Sequence, residues 1–182
     1  MRNVPGILLL VALAGCGGNP AAPAPRTFDL GFAAPRATLP ALRVTSLRAV
    51  VPFDGVQMHY RLAWRNPSEL ADYAHSRWAA PPAELIRKQL LRAVSEGVAK
   101  CGLEIELQEF TQVFASKEAS EARIELRGTL VGANGRVSSR GWNIGDADAG
   151  ADAASGATSF ARAADKAVIE LAGWISAQPE CR

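Results

Sequence analysis

Reactive side chains are scarce in this chain: its 182 residues include two histidines, three cysteines and two methionines. Charge of one sign is missing as well, with 20 Lys and Arg standing against 18 Asp and Glu. Such a balance makes no basic field for a phosphate backbone, and no basic stripe is interleaved with aromatics, so nothing suggests nucleic acid. There is no Gly-x-Ser-x-Gly and no phosphate-binding glycine loop, so neither a hydrolase elbow nor a nucleotide cradle is signalled. Gly128, Gly132 and Gly135 surround a hairpin and read as turn or strand irregularities. His59 and His75 have no cysteines at metal-ligand spacing around them. Asp146, Asp148 and Asp152 lack the terminal glutamate and ordered spacing of a calcium loop. His75 lies close to Asp72 in a predicted loop, a dyad with no nucleophile placed beside it, and His59, on the strand face opposite the apolar one, is expected to be solvated or hydrogen-bonding rather than catalytic. Glu104, Glu106 and Glu125 fall on wet strand faces in the same way. The expectation is a protein that is not an enzyme, with no catalytic residue, no metal and no cofactor.

Long apolar runs are also rare, and the first of them stands at the start. Arg2 is followed by the uncharged stretch Gly6-Ile7-Leu8-Leu9-Leu10-Val11-Ala12-Leu13-Ala14-Gly15, which ends at Cys16. A basic start, a short apolar run and small residues make a secretory signal. The run is shorter than the roughly 20 apolar residues that cross a bilayer. Leu13-Ala14-Gly15-Cys16 resembles the bacterial lipobox. That resemblance implies a diacylated Cys16 thiol, cleavage just before it, and a third chain on the new amino group. Two or more acyl chains, at about 0.8 kcal/mol per buried CH₂, anchor a protein stably. The expected division is therefore a signal peptide over 1–15, a lipidated cysteine and flexible Gly/Pro/Ala tether over 16–26, and a folded domain over 27–182. Gly17 follows the cysteine where Asp would signal inner-membrane retention in the enteric pattern, so the expected location is the outer membrane, facing the periplasm.

With Cys16 carrying lipid, Cys101 and Cys181 remain. In an oxidising compartment such a pair is a disulfide candidate, each following a predicted helix; two free thiols are the alternative.

Hydrophobic periodicity outlines the domain. Strands are predicted near Phe28, over 41–51 and over 56–64, with a short one near 69–73. The segment over 56–64 carries Val56, Met58, Tyr60 and Leu62 on one face and is expected to pair with its predecessor. Pro81-Pro82 opens a helix from about Ala83 to Lys100, with a stripe of Ile86, Leu90, Leu91, Val94 and Val98. Residues 103–110 alternate apolar and polar, and Asn134-Gly135 is a hairpin turn between two further strands. Residues 145–156 read as a small, acidic connection before a last helix over 159–177, striped by Phe160, Ala164, Ala167, Leu171 and Trp174. The fold class is α+β, a two-layer sandwich with a largely antiparallel sheet and two main helices on one face.

Spread along this outline are segments that resemble the ABC-type transport auxiliary lipoprotein family, the YmbA/PqiC-like group. They are Thr27-Phe28-Asp29-Leu30, Leu42-Arg43-Val44 leading to Val51-Pro52, Val56-Gln57-Met58-His59-Tyr60-Arg61, Ala74-His75-Ser76-Arg77-Trp78-Ala79-Ala80-Pro81-Pro82, and Phe110. Phe28 stands where the family commonly has tyrosine, and Ala80 where it often has an acidic residue. The resemblance implies the docking or receiving component of a transport system for lipid or hydrophobic solutes. Its partners would be an MCE-domain protein, an ABC permease and an ATPase, with a homo-oligomer left open. Arg77 and Trp78 are the candidate partner-binding residues: a guanidinium and a large amphipathic ring held beside a proline-started helix. The alternatives are an independent periplasmic lipid-binding module and a structural cell-envelope lipoprotein.

Overall fold

The computed structural model describes residues 24–181. The expected signal peptide, Cys16 and most of the tether lie outside the described residues. Seven strands form one sheet with two helices against it, in the order β1 (Arg26–Phe28), β2 (Arg43–Ala49), β3 (Gln57–Leu62), β4 (Ala71–Trp78), α1 (Pro82–Ala93), β5 (Gly102–Phe114), β6 (Ser120–Gly132), β7 (Gly135–Ala149) and α2 (Ala153–Ser176). This is the expected α+β two-layer sandwich. No described helix is long and apolar enough to cross a membrane.

β5, β6 and β7 form a long antiparallel meander, with Gly135 (φ +102°) supplying the turn that Asn134-Gly135 foretells. The other edge of β5 differs from expectation. β2 and β3 do not pair with each other. Both run parallel to β5, β2 along its first half (Val44 opposite Leu103) and β3 along its second (His59 opposite Thr111). The reason lies in length: β5 is 13 residues long, enough to pair both shorter strands end to end. Asp54-Gly55 therefore turns the chain onward rather than back. β4 then pairs antiparallel with β3, and β1 parallel with β4, Phe28 opposite Trp78. The short strand expected near 69–73 is an eight-residue strand that contains His75, Arg77 and Trp78, which are thus not in a loop.

Inward residues of β5 and β6 make the core floor. Leu103, Ile105 and Leu107 alternate inward, a bulge intervenes before Glu109, and Phe110 then faces the helices. Phe110 stacks on Phe160 of α2 with centroids 4.2 Å apart. The α2 stripe is buried as expected, and its alanines Ala163, Ala164 and Ala167 bring the helix close to the sheet. Gly128 is a spacing residue rather than an irregularity: a Cβ there would meet the rings of Trp142 and Trp174, which pack edge to face at 5.0 Å.

Helix boundaries shift. α1 ends at Ala93 rather than Lys100, because β-branched Val94 turns extended and bridges to Leu39. The Leu39 carbonyl accepts from both the Ser95 amide and the Ser95 hydroxyl. Val98 is consequently 88 % exposed instead of part of a buried stripe. α2 starts six residues before Ser159, since Asp152 caps it, accepting from the Ser155 amide at 2.8 Å in a reciprocal capping box.

Candidate functional site

Strand polarity brings one set of chain segments to a common end of the sheet. β3 ends there at Leu62, β5 ends at Phe114, β4 begins at Ala71, β6 begins at Ser120, and α2 begins at Ala153. At this end Tyr60, Leu62, Trp64, Tyr73, Phe114, Lys117 and Ala151 line an open recess of about 300 Å³. Tyr60 lies 4.8 Å from Tyr73 and 6.1 Å from Phe114 between ring centroids. Trp64 is 46 % exposed, with the Lys117 ammonium 5.9 Å from its ring centre. Tyr60, Leu62 and Trp64 follow the parity of Met58 along the strand, and that was the sequence signal for the cluster.

The recess is tied down from beneath. The Tyr73 hydroxyl donates to Gln112 Oε1 at 2.9 Å, and Gln112 Nε2 donates to Ser120 Oγ and to the Gly150 carbonyl. Burial, then the neighbouring Tyr60 and the Asp152 charge, push the Tyr73 hydroxyl well above its ordinary range, so it stays a donor. Gly156 at the start of α2 leaves room for the Gln112 amide, which a Cβ there would strike.

Titratable groups elsewhere serve the fold. Of the two expectations for His59, the hydrogen-bonding one holds: the residue is buried, because β3 is an interior strand and Phe53 packs edge to face on the ring at 5.5 Å. Its Nδ1 lies 2.6 Å from Asp72 Oδ1 and its Nε2 3.1 Å from the Pro52 carbonyl oxygen. Asp72 thus partners His59 across the β3–β4 pair, and not His75. Both His59 ring nitrogens are engaged within the fold. Asp146 is buried between the cations of α2: Arg162 and Lys166 lie 2.8 and 2.9 Å from its oxygens, and Ser159 donates at 3.0 Å. Burial alone would raise its carboxyl, but the bonds from Arg162, Lys166 and Ser159 hold it well below the usual carboxylate range. Among the described residues no group of His, Cys, Asp and Glu is arranged to hold a metal ion.

The Arg77-Trp78 pair divides. Trp78 is 2 % exposed and packs edge to face on Phe110 and Phe160, each at 5.3 Å, so its ring is a core element and not a contact surface. Strand alternation explains it, since Trp78 faces the helices and Arg77 faces out. The exposed Arg77 donates from Nε to Thr27 Oγ1 at 3.5 Å. Cys101 and Cys181 are joined in a disulfide across 80 residues.

No family model matches the chain, and no curated protein matches it either. Among solved structures, a Xanthomonas campestris protein of the DUF330 family superposes with a TM-score of 0.63 at 23 % identity, covering 83 % of this chain and 92 % of that one. An uncharacterized protein superposes with a TM-score of 0.63 at 12 % identity, covering 84 % of this chain and 99 % of that one. The fold of this chain is therefore one it shares with a DUF330 protein.

Proposed function

We propose that this chain is a non-enzymatic lipoprotein, held to the outer membrane by acylated Cys16 and facing the periplasm. There it docks or receives within an ABC/MCE-type transport system for lipid or hydrophobic solutes. One observation carries the reading. The segments that resemble the auxiliary lipoprotein family are far apart in sequence yet meet in space. Phe28 pairs in register with Trp78, and Trp78 packs on Phe110. Residues with a joint role in one core are the kind a family signature is made of. The Cys101–Cys181 disulfide adds support for an oxidising compartment. ATP would be handled by another chain, in keeping with the missing phosphate loop.

The test is crosslinking in intact cells, mild detergent extraction and purification of this protein, with an unrelated outer-membrane lipoprotein as control. An MCE-domain protein, a permease and an ATPase should be enriched. Enrichment of none of the three would defeat the transport assignment while leaving the lipoprotein assignment standing.

A further inference from the structure

We propose that the end of the sheet bearing the aromatic recess faces the bilayer that holds Cys16, with Trp64 and Lys117 seated in its phospholipid headgroup layer. This rests on the acylation reading above.

β1 runs parallel to β4, with Arg26 opposite Ser76, five residues along from Ala71, so the chain enters β1 heading away from the Ala71 end of β4. That is the recess end. The Arg26 charge also reaches Asp152, which caps α2 beside the recess residue Ala151. Arg26 follows Cys16 by ten positions, with nine residues between them. Fully extended, that stretch spans at most about 35 Å, about twice the roughly 17 Å of strand from Ser76 back to Ala71, so the tether is long enough to let this end of the domain meet the lipid surface.

The side chains at this end suit a lipid surface. Trp64 leaves almost half of a large ring in water, an arrangement that suits an interface where one side is apolar and the other wet. Lys117 beside it offers an ammonium on an apolar stem, which can reach a lipid phosphate while the stem lies on the ring. Tyr60 and Tyr73 stand behind, and Tyr and Trp with basic residues are the side chains that collect at membrane interfaces. Phe32 and Val98 are more exposed, but each is a lone apolar side chain in a loop. Among the described residues, the recess end combines a cluster of aromatics and a cation, and it is the end from which the chain heads into β1.

The protein supplies its own probe. Of its four tryptophans, Trp78, Trp142 and Trp174 are buried at 2 %, 8 % and 6 % exposure, and only Trp64 is open. The full-length membrane-extracted protein is reconstituted into vesicles of phosphatidylethanolamine and phosphatidylglycerol brominated near the carbonyl end of their acyl chains. Intact mass is measured on the same sample. For an acylated chain, tryptophan emission should fall relative to unbrominated vesicles by the share that Trp64 contributes, and Trp64→Phe, with an unchanged melt, should abolish the loss. An acylated chain whose emission does not change, or whose quenching persists in Trp64→Phe, overturns the orientation and leaves the anchor intact. A chain without acyl mass overturns the anchor and the orientation together.

Discussion

Cys181, the last described residue, is bonded to Cys101, and this fastens the end of the chain to the threshold of β5. Both sulfurs are buried, at 2 % and 0 % residue exposure. A link that closes 80 residues limits the unfolded chain far more than the folded one. Replacing both cysteines by alanine should lower stability by about 2–4 kcal/mol. Urea unfolding measures it, and an unchanged midpoint would show that the bond contributes nothing. Alkylation of the unreduced protein should find neither thiol free.

Trp78 and Arg77 are neighbours with opposite expected behaviour. Trp78→Ala removes a ring packed on Phe110 and Phe160 and should cost about 3–5 kcal/mol. Arg77→Ala should stay within about 0.5 kcal/mol, since its side chain is exposed. Thermal melting of the two variants separates them, and a Trp78→Ala protein that melts like wild type would refute the core assignment.

Asp146 links the stability of the fold to acid pH. Its folded carboxyl titrates below its unfolded value, so the stability it confers is complete above the unfolded value, near pH 4. That contribution fades as the pH falls from there toward the folded value. Asp146→Asn should therefore melt well below wild type at pH 7, and the gap should narrow as the pH is lowered through about 4. A gap independent of pH would mean that the Arg162–Lys166 pairing is not its source. Because Arg162 and Lys166 are 35 % and 50 % exposed at their side chains, water can take them up, and the loss at pH 7 should lie at or below the low end of the roughly 3–5 kcal/mol typical of broken buried pairs.

Gly156 offers a test in which two effects have opposite sign. Alanine in place of a helical glycine ordinarily gains about 1 kcal/mol. Here the new methyl would strike the Gln112 amide that holds Tyr73, Ser120 and Gly150 together. The net effect of Gly156→Ala should be a loss of about 1–3 kcal/mol, as for other overpacked sites. A stabilised variant would show that Gln112 swings aside at little cost.

The sequence was most legible where one local period governed the outcome. The alternation of β5 and β6, the Asn134-Gly135 turn and the Phe160–Trp174 stripe all reappear in the fold. It was least legible where a distant partner decided. Val94 fits a helical stripe until Leu39 offers it a bridge, and β2 and β3 look like a hairpin until one long strand pairs with both. The Asp152 cap was hidden among small and acidic residues that suggested a loop. At the recess, Tyr60 and Leu62 were placed on the right face, but Tyr73, Phe114 and Lys117 join them only through strand order. For His59, alternation assigns a face without telling whether another segment covers it, so its hydrogen bonds were legible as one expectation and its burial was not.

The proposed function rests on acylation of Cys16, and one measurement addresses it: the intact mass of the protein from separated outer and inner membranes, for wild type and Cys16→Ala. The wild-type protein should lack residues 1–15, carry the mass of two or three acyl chains on Cys16 and peak with the outer membrane, while Cys16→Ala should carry no acyl mass and remain uncleaved at that site. A wild-type protein whose mass retains residues 1–15, with no added lipid, would contradict the account at its foundation.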